Sequence, residues 1–132
     1  MSGDATVFQF EHAGNVLIVT PHGPFMHFRD SDVRAAYNEA YRLLSLPDSV
    51  HLLVDFSRLD YFGSTFVGIL IRLGKKVHAG NGRAILCHVS DEMSQMLKTL
   101  MLLENPKIDF SWSISPDRAA ALAALQSQPA QA

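Results

Sequence analysis

Apolar positions along the chain form short runs and spaced stripes, and the period switches back and forth between that of a strand and that of a helix. Val7 to Phe10 puts Phe8 and Phe10 on one face, and the continuous run Val16 to Thr20 follows the turn-forming stretch His12-Ala13-Gly14-Asn15. The pair predicts a β-hairpin. Pro21-His22-Gly23-Pro24 breaks it. From Asp30 onward Val33, Ala36, Tyr37, Ala40, Tyr41 and Leu44 recur at three- and four-residue intervals, which predicts an amphipathic helix capped by Asp30 or Ser31. Leu46-Pro47-Asp48 ends that helix, and Val50 to Phe56 is a short, nearly unbroken apolar run of the kind found in a central strand covered on both faces.

The same alternation continues to the end of the chain. After Ser64, residues Phe66, Ile69, Leu70, Leu73 and Val77 line one helical face until Gly80-Asn81-Gly82 offers the left-handed stop that helix ends favour. Arg83 to Val89 is again strand-like. Ser90 is placed to cap a third helix carrying Met93, Met96, Leu97 and Leu100, with Asp91 and Glu92 in its first turn, and Asn105-Pro106 closes it. In Ile108 to Ile114 apolar residues alternate with Asp109, Ser111 and Ser113, the pattern of an edge strand with one wet face. Ser115-Pro116 then opens a short Ala/Leu helix that runs to about Leu125.

Strands alternating with helices predict an α/β fold: one domain over residues 1–125, with a mixed, mostly parallel sheet, an N-terminal hairpin and about four helices. Residues 126–132 read as a disordered tail. A chain of 132 residues has room for one core, and 48% apolar with 18% charged residues is an ordinary globular composition. The longest apolar runs are interrupted, as Phe66 to Leu73 is by Gly68 and Arg72, and fall short of the ~20 residues a bilayer needs. With no leader at the N-terminus and a single cysteine, Cys87, a cytoplasmic location is expected. A net charge of -2 gives no electrostatic ground for binding nucleic acid or an anionic membrane.

In such sheets, sites gather where strand ends feed helix starts. The stretch DYFGSTFVGIL (60 to 70) lies at one of these junctions. Ser64 is spaced to cap the first amides of its helix, with Gly63 letting the chain turn sharply before it. The same position suits a phosphate, which would meet free amides and the positive end of a helix dipole. Spacing alone leaves both readings open.

The strand LLVDFS (52 to 57), the turn DYFGSTFVGIL (60 to 70), the glycine-flanked AGNGRAILCHVS (79 to 90) and the helix ending TLMLLENP (99 to 106), with a further helix after Trp112, resemble a STAS domain. That is the fold of sulfate transporter tails and of bacterial anti-sigma factor antagonists, and the N-terminal hairpin and helix fit its layout too. The resemblance implies a signal-transduction protein in transcription regulation that works by partner switching, without enzymatic activity or cofactor. Its partner would be an anti-sigma factor that is also a serine kinase, and it would be a phosphoprotein. Matched residue by residue, Ser64 takes the phosphoacceptor place and Thr65 the one after it. Gly63 stands where the antagonists carry an acidic residue, and Phe66 where they carry glycine.

Val67 and Ile71 lie more than ~100° from the main apolar stripe of their helix. Either a neighbouring helix covers them or they form an apolar patch beside Ser64 that docks a partner. The candidate partner-binding set is therefore Gly63, Ser64, Phe66, Val67 and Ile71. Two other readings stay open: a small-ligand-binding or transporter-associated regulatory subunit, as some STAS domains are, and a homodimer in which Ser64 only caps its helix.

Other chemistry-bearing residues form no recognisable motif. His22 and His27 lie in a Pro/Gly loop without cysteine or a second pair, so no metal site is expected from them. Cys87-His88 is not followed by the arginine that a phosphatase loop requires, Met93 standing at that place, and Cys87 reads as a buried inert thiol. Asp55 and Asp60 flank the loop as turn or helix-start residues, with no nucleophile and base beside them.

Overall fold

A computed structural model describes residues 7–23, 28–59, 62–99 and 112–127. Strands β1 (Phe8–Ala13) and β2 (Val16–Pro21) pair antiparallel, with Ala13 opposite Val16. Two residues close the hairpin, and Gly14 takes the positive φ of 62° that so short a loop demands. The strand thus extends through His12 and Ala13, which the sequence assigns to the turn. Helix α1 (Asp30–Leu44) leads to β3 (His51–Asp55), a 3₁₀ turn (Phe56–Arg58), α2 (Ser64–Ala79), β4 (Ala84–Cys87), α3 (Asp91–Thr99), β5 (Ser113–Ser115) and α4 (Arg118–Ser127).

The strands lie in the order β1-β2-β3-β4-β5, with β2 to β5 mutually parallel. β3 is central and β5 is at the edge, as their apolar patterns predict. Side chains alternate across the sheet. Leu17, Val19, Leu52, Val54 and Leu86 pack beneath α1, α2 and α3, where Ala40, Leu70, Leu73 and Leu97 are wholly buried. Val16, Ile18, Leu53, Ile85 and Cys87 face α4 and meet Ala121 and Leu125. Coverage of both faces is why β3 carries only apolar residues between His51 and Asp55.

Helix ends depart from the sequence reading by one to three residues. α1 is capped by Arg29 without a side-chain hydrogen bond, not by Asp30 or Ser31, which lie inside the helix. Ser90 caps α3 as expected, accepting from the Met93 amide at 3.1 Å. Asp117, not Ser115, caps α4: its Oδ1 accepts from the Ala120 amide at 2.8 Å, while Ser115 ends β5. At the end of α2 the left-handed residue is Asn81 (φ 66°), between the two glycines. The Asn81 amide donates to the His78 carbonyl (2.9 Å) and the Gly82 amide to that of Val77 (2.8 Å), the paired bonds of a Schellman stop.

Some readings meet a different structure or fall outside it. α4 includes Gln126 and Ser127, and Gln126 Nε2 donates to the Ala13 carbonyl at 3.3 Å, so the assigned tail does not begin at Gln126. On the last strand Ile114 is exposed rather than inward, while Trp112 is buried. His27, Asp60, Leu100 to Pro106, Ile108 to Ser111 and residues 128–132 lie outside the described residues.

Candidate functional site

Because β2 to β5 run parallel, Pro21, Asp55, Cys87 and Ser115 all end at one edge of the sheet, and α2 starts from the same edge. The junction after β3 is fastened from within. Asp55 Oδ1 accepts from the Ser57 amide at 2.9 Å and so caps the 3₁₀ turn, the helix-start role expected of this aspartate. The Gly23 amide donates to the Arg58 carbonyl at 3.1 Å and ties the preceding loop to it.

Leu59 and Phe62 are buried, and the rings of Phe56, Phe62 and Phe66 meet edge-on or tilted with centroids 5.2 to 5.9 Å apart. Such aromatic pairs contribute about 1 kcal/mol each beyond the area they bury. Phe66, at the place where antagonists carry glycine, is 1% exposed. Its bulk fills the core.

α2 then begins at Ser64, with Gly63 as its N-cap. The sequence reading puts the cap one residue later. Gly63 has φ -123° and extended backbone, so the junction does not use the conformational freedom of glycine. Lacking a side chain, Gly63 supplies no capping acceptor to the first turn.

Thr65 is exposed and Gly63 half-exposed. Of the two alternatives open for this pair, Val67 meets the covered one, being buried in the core, and Ile71 is half-buried against that core. Of the five candidate partner-binding residues, Phe66 and Val67 therefore belong to the interior, whereas Gly63 and Ile71 reach the surface. A groove of about 330 Å³ runs between α1 and α2. Asp30, Arg34 and Tyr37 line one wall, and Thr65, Ile69 and Arg72 the other. The Arg72 guanidinium stands 5.8 Å from the centre of the Tyr37 ring, in cation–π range.

A second cluster at this edge is absent from the sequence reading. Asp55 shares the α4 face of the sheet with Leu53, and Arg118, first in α4, donates to its Oδ2 through Nε (3.2 Å) and Nη2 (3.0 Å). Arg118 also reaches Glu11 (3.2 Å) and the Thr20 hydroxyl (3.3 Å), so it joins β1, β2, β3 and α4. Burial pushes the Asp55 carboxyl up. The bonds from Ser57 and Arg118 and the nearby His88 outweigh that and hold it below its ordinary value. Burial, with Asp55 close by, pushes the Cys87 thiol up to about 12, so it is an inert thiol in the absence of a bound cation, as expected.

This sheet order, with one hairpin and helices on both faces, is the architecture of a family: the STAS domain model matches residues 8–117, and the chain belongs to that family. Its solved structural neighbours include an anti-sigma-factor antagonist (STAS) domain protein from Planctomyces limnophilus, 20% identical with a TM-score of 0.71, over 89% of this chain and 97% of the other. The Bacillus anti-sigma factor antagonist SpoIIAA in its unphosphorylated form is 16% identical with a TM-score of 0.70, over 92% and 99%. Murine Slc26a9, an anion transporter, is 13% identical with a TM-score of 0.69, over 89% of this chain but 19% of the transporter. At these identities the likeness is one of fold.

Proposed function

We propose that this chain is a protein-interaction module of the anti-sigma factor antagonist kind, bound by a partner that is both anti-sigma factor and serine kinase and released when Ser64 carries a phosphate. The observation that most supports this is the place of Ser64 in a STAS domain. It is the first residue of α2, at the sheet edge where the strand C-termini gather, on a junction anchored by three phenylalanine rings. SpoIIAA, of the same fold, occurs in unphosphorylated and phosphorylated forms. Such a module regulates transcription from the cytoplasm and needs no cofactor or catalytic activity of its own.

Magnitudes decide how the switch works. A phosphate at a helix start gains about 0.3–1 kcal/mol from the dipole, too little to remodel a domain whose stability is of order 5–15 kcal/mol. Burying the same dianion in an interface without a matching cation costs several kcal/mol. Ser64 therefore acts by changing partner affinity, with Thr65 as the second acceptor. Gly63, Thr65 and Ile71 form the surface the partner meets, and Phe66 and Val67 support it from beneath.

The test is to incubate the protein with ATP and each serine kinase of the histidine-kinase-like ATPase class from its source, then map modification by mass spectrometry. One phosphate on Ser64, absent from Ser64→Ala, is expected, and Ser64→Asp should bind the partner at least ~10-fold more weakly. Unmodified Ser64 with every kinase would sink the reading. Ile71→Glu is expected to weaken partner binding at least ~10-fold in calorimetry while its circular dichroism stays native; unchanged affinity removes Ile71 from the interface.

The likeness to the domain within Slc26a9 supports a second reading, a transporter-associated or small-ligand-binding regulatory subunit using the groove between α1 and α2. A co-purifying small molecule in that groove, together with unmodified Ser64, would favour it. A dimer by light scattering that neither kinase nor ligand alters would favour the structural homodimer instead.

A further inference from the structure

Three side chains of metal-ligating type converge at the sheet edge, at residues that ligand-spacing motifs pass over. Asp55 and Cys87 end the adjacent parallel strands β3 and β4 and are register partners. His88 follows Cys87, and strict strand alternation would send its imidazole to the opposite face. Instead His88 takes a left-handed φ of 56°, and one ligand atom each from Asp55, Cys87 and His88 lies within 4.8 Å of the other two. Asp55 and Cys87 are buried and His88 is exposed.

We infer that Asp55, Cys87 and His88 form a site for a borderline transition-metal ion, Zn²⁺ or Co²⁺. Thiolate, imidazole and carboxylate together suit these ions, whereas Mg²⁺ and Ca²⁺ demand oxygen ligands. Metal–ligand bonds of about 2.0–2.3 Å place tetrahedral ligands roughly 3.4 Å apart. The cluster must therefore close by up to about 1.4 Å from its widest spacing. The exposed His88 can supply most of that by rotation. Three protein ligands leave a fourth position for water on the solvent side.

The charges nearby match. The thiol proton leaves as the metal–sulfur bond forms, and the resulting thiolate and the Asp55 carboxylate balance a divalent ion. Arg118, which shares Asp55 Oδ2, remains paired with Glu11, and Asp117 lies near enough to act on Cys87. Asp55 keeps lone pairs free beyond those that take the Ser57 amide and Arg118.

Cobalt(II) titration of the full chain reads the site directly, because Cys87 is the only cysteine in the sequence. The expected result is a near-ultraviolet thiolate-to-cobalt charge-transfer band that saturates at one equivalent and is abolished by added zinc. Cys87→Ser should lose the band. His88→Asn, at an exposed site whose left-handed backbone suits asparagine, should raise Kd at least ~10-fold without touching the core. No band in excess cobalt, or a band unchanged in His88→Asn, overturns the inference. Ser64→Ala should bind cobalt like the parent chain, so this site and the phosphoacceptor stand or fall separately.

Discussion

Gly82→Ala is expected to destabilise the protein by about 3 kcal/mol, a loss of roughly 10 °C in melting temperature for a chain of this size. Gly82 closes the Schellman stop of α2 and carries the chain past the residue before β3, Val50. A Cβ there would overlap the Val50 carbonyl oxygen and stand 2.8 Å from Val77 Cγ1. The first of these is backbone and cannot rotate away, so α2 and β3 must separate. Gly80, the C-cap of α2, and Gly68 within it serve as controls. Among the described residues Gly80→Ala meets nothing nearer than 3.7 Å, and it should change stability by less than ~0.5 kcal/mol. Gly68→Ala, mid-helix with no neighbour within 4 Å among the described residues, should stabilise by ~0.5–1 kcal/mol. Urea melts of the three variants check the order, and a Gly82→Ala midpoint equal to that of Gly80→Ala would contradict the close approach.

The second large effect is at Asp55. Asp55→Ala is expected to cost about 3 kcal/mol, because it removes the cap of the 3₁₀ turn and the main partner of Arg118 together. Arg118→Met should cost about 2 kcal/mol, less because its side chain is a third exposed and water can take its place beside the carboxylate. Acid titration supplies the finer readout. The native Asp55 carboxyl lies below its ordinary value of 3.8, so the unfolded chain binds the proton first. Its contribution is complete above the unfolded value and is lost as pH falls through the lower native one. In Arg118→Met the native value moves up toward the unfolded one, so stability should fall less steeply as pH drops through and below the ordinary carboxylate value. A parallel pH profile for parent and variant would mean that Arg118 does not hold the carboxylate charged.

Much of this architecture is legible in the sequence because burial writes itself into periodicity. The unbroken Leu52 to Val54 run marks a strand covered on both faces, and the Phe66, Ile69, Leu70, Leu73, Val77 stripe marks the inner side of α2. Caps are less legible. Asp30, Ser64 and Ser115 are all good capping residues, yet Arg29, Gly63 and Asp117 hold those places. A cap is worth about 1 kcal/mol, and the burial of Phe62 and Phe66 on either side of Gly63 outweighs it. The Asp55–Arg118 bond is invisible because 63 residues separate its partners and no period links them. One signal was available: a carboxylate closing a fully covered strand must find a cation or donors. His88 escapes for a similar reason, since only a backbone turn against strand alternation brings it beside Cys87.

The three interlocked rings of Phe56, Phe62 and Phe66 leave little slack under the start of α2. A group attached at residue 64 would then work as a label and not as a lever, legible to whatever docks from outside but silent to the far side of the sheet. The speed of any response would be set by the enzymes that write and erase it.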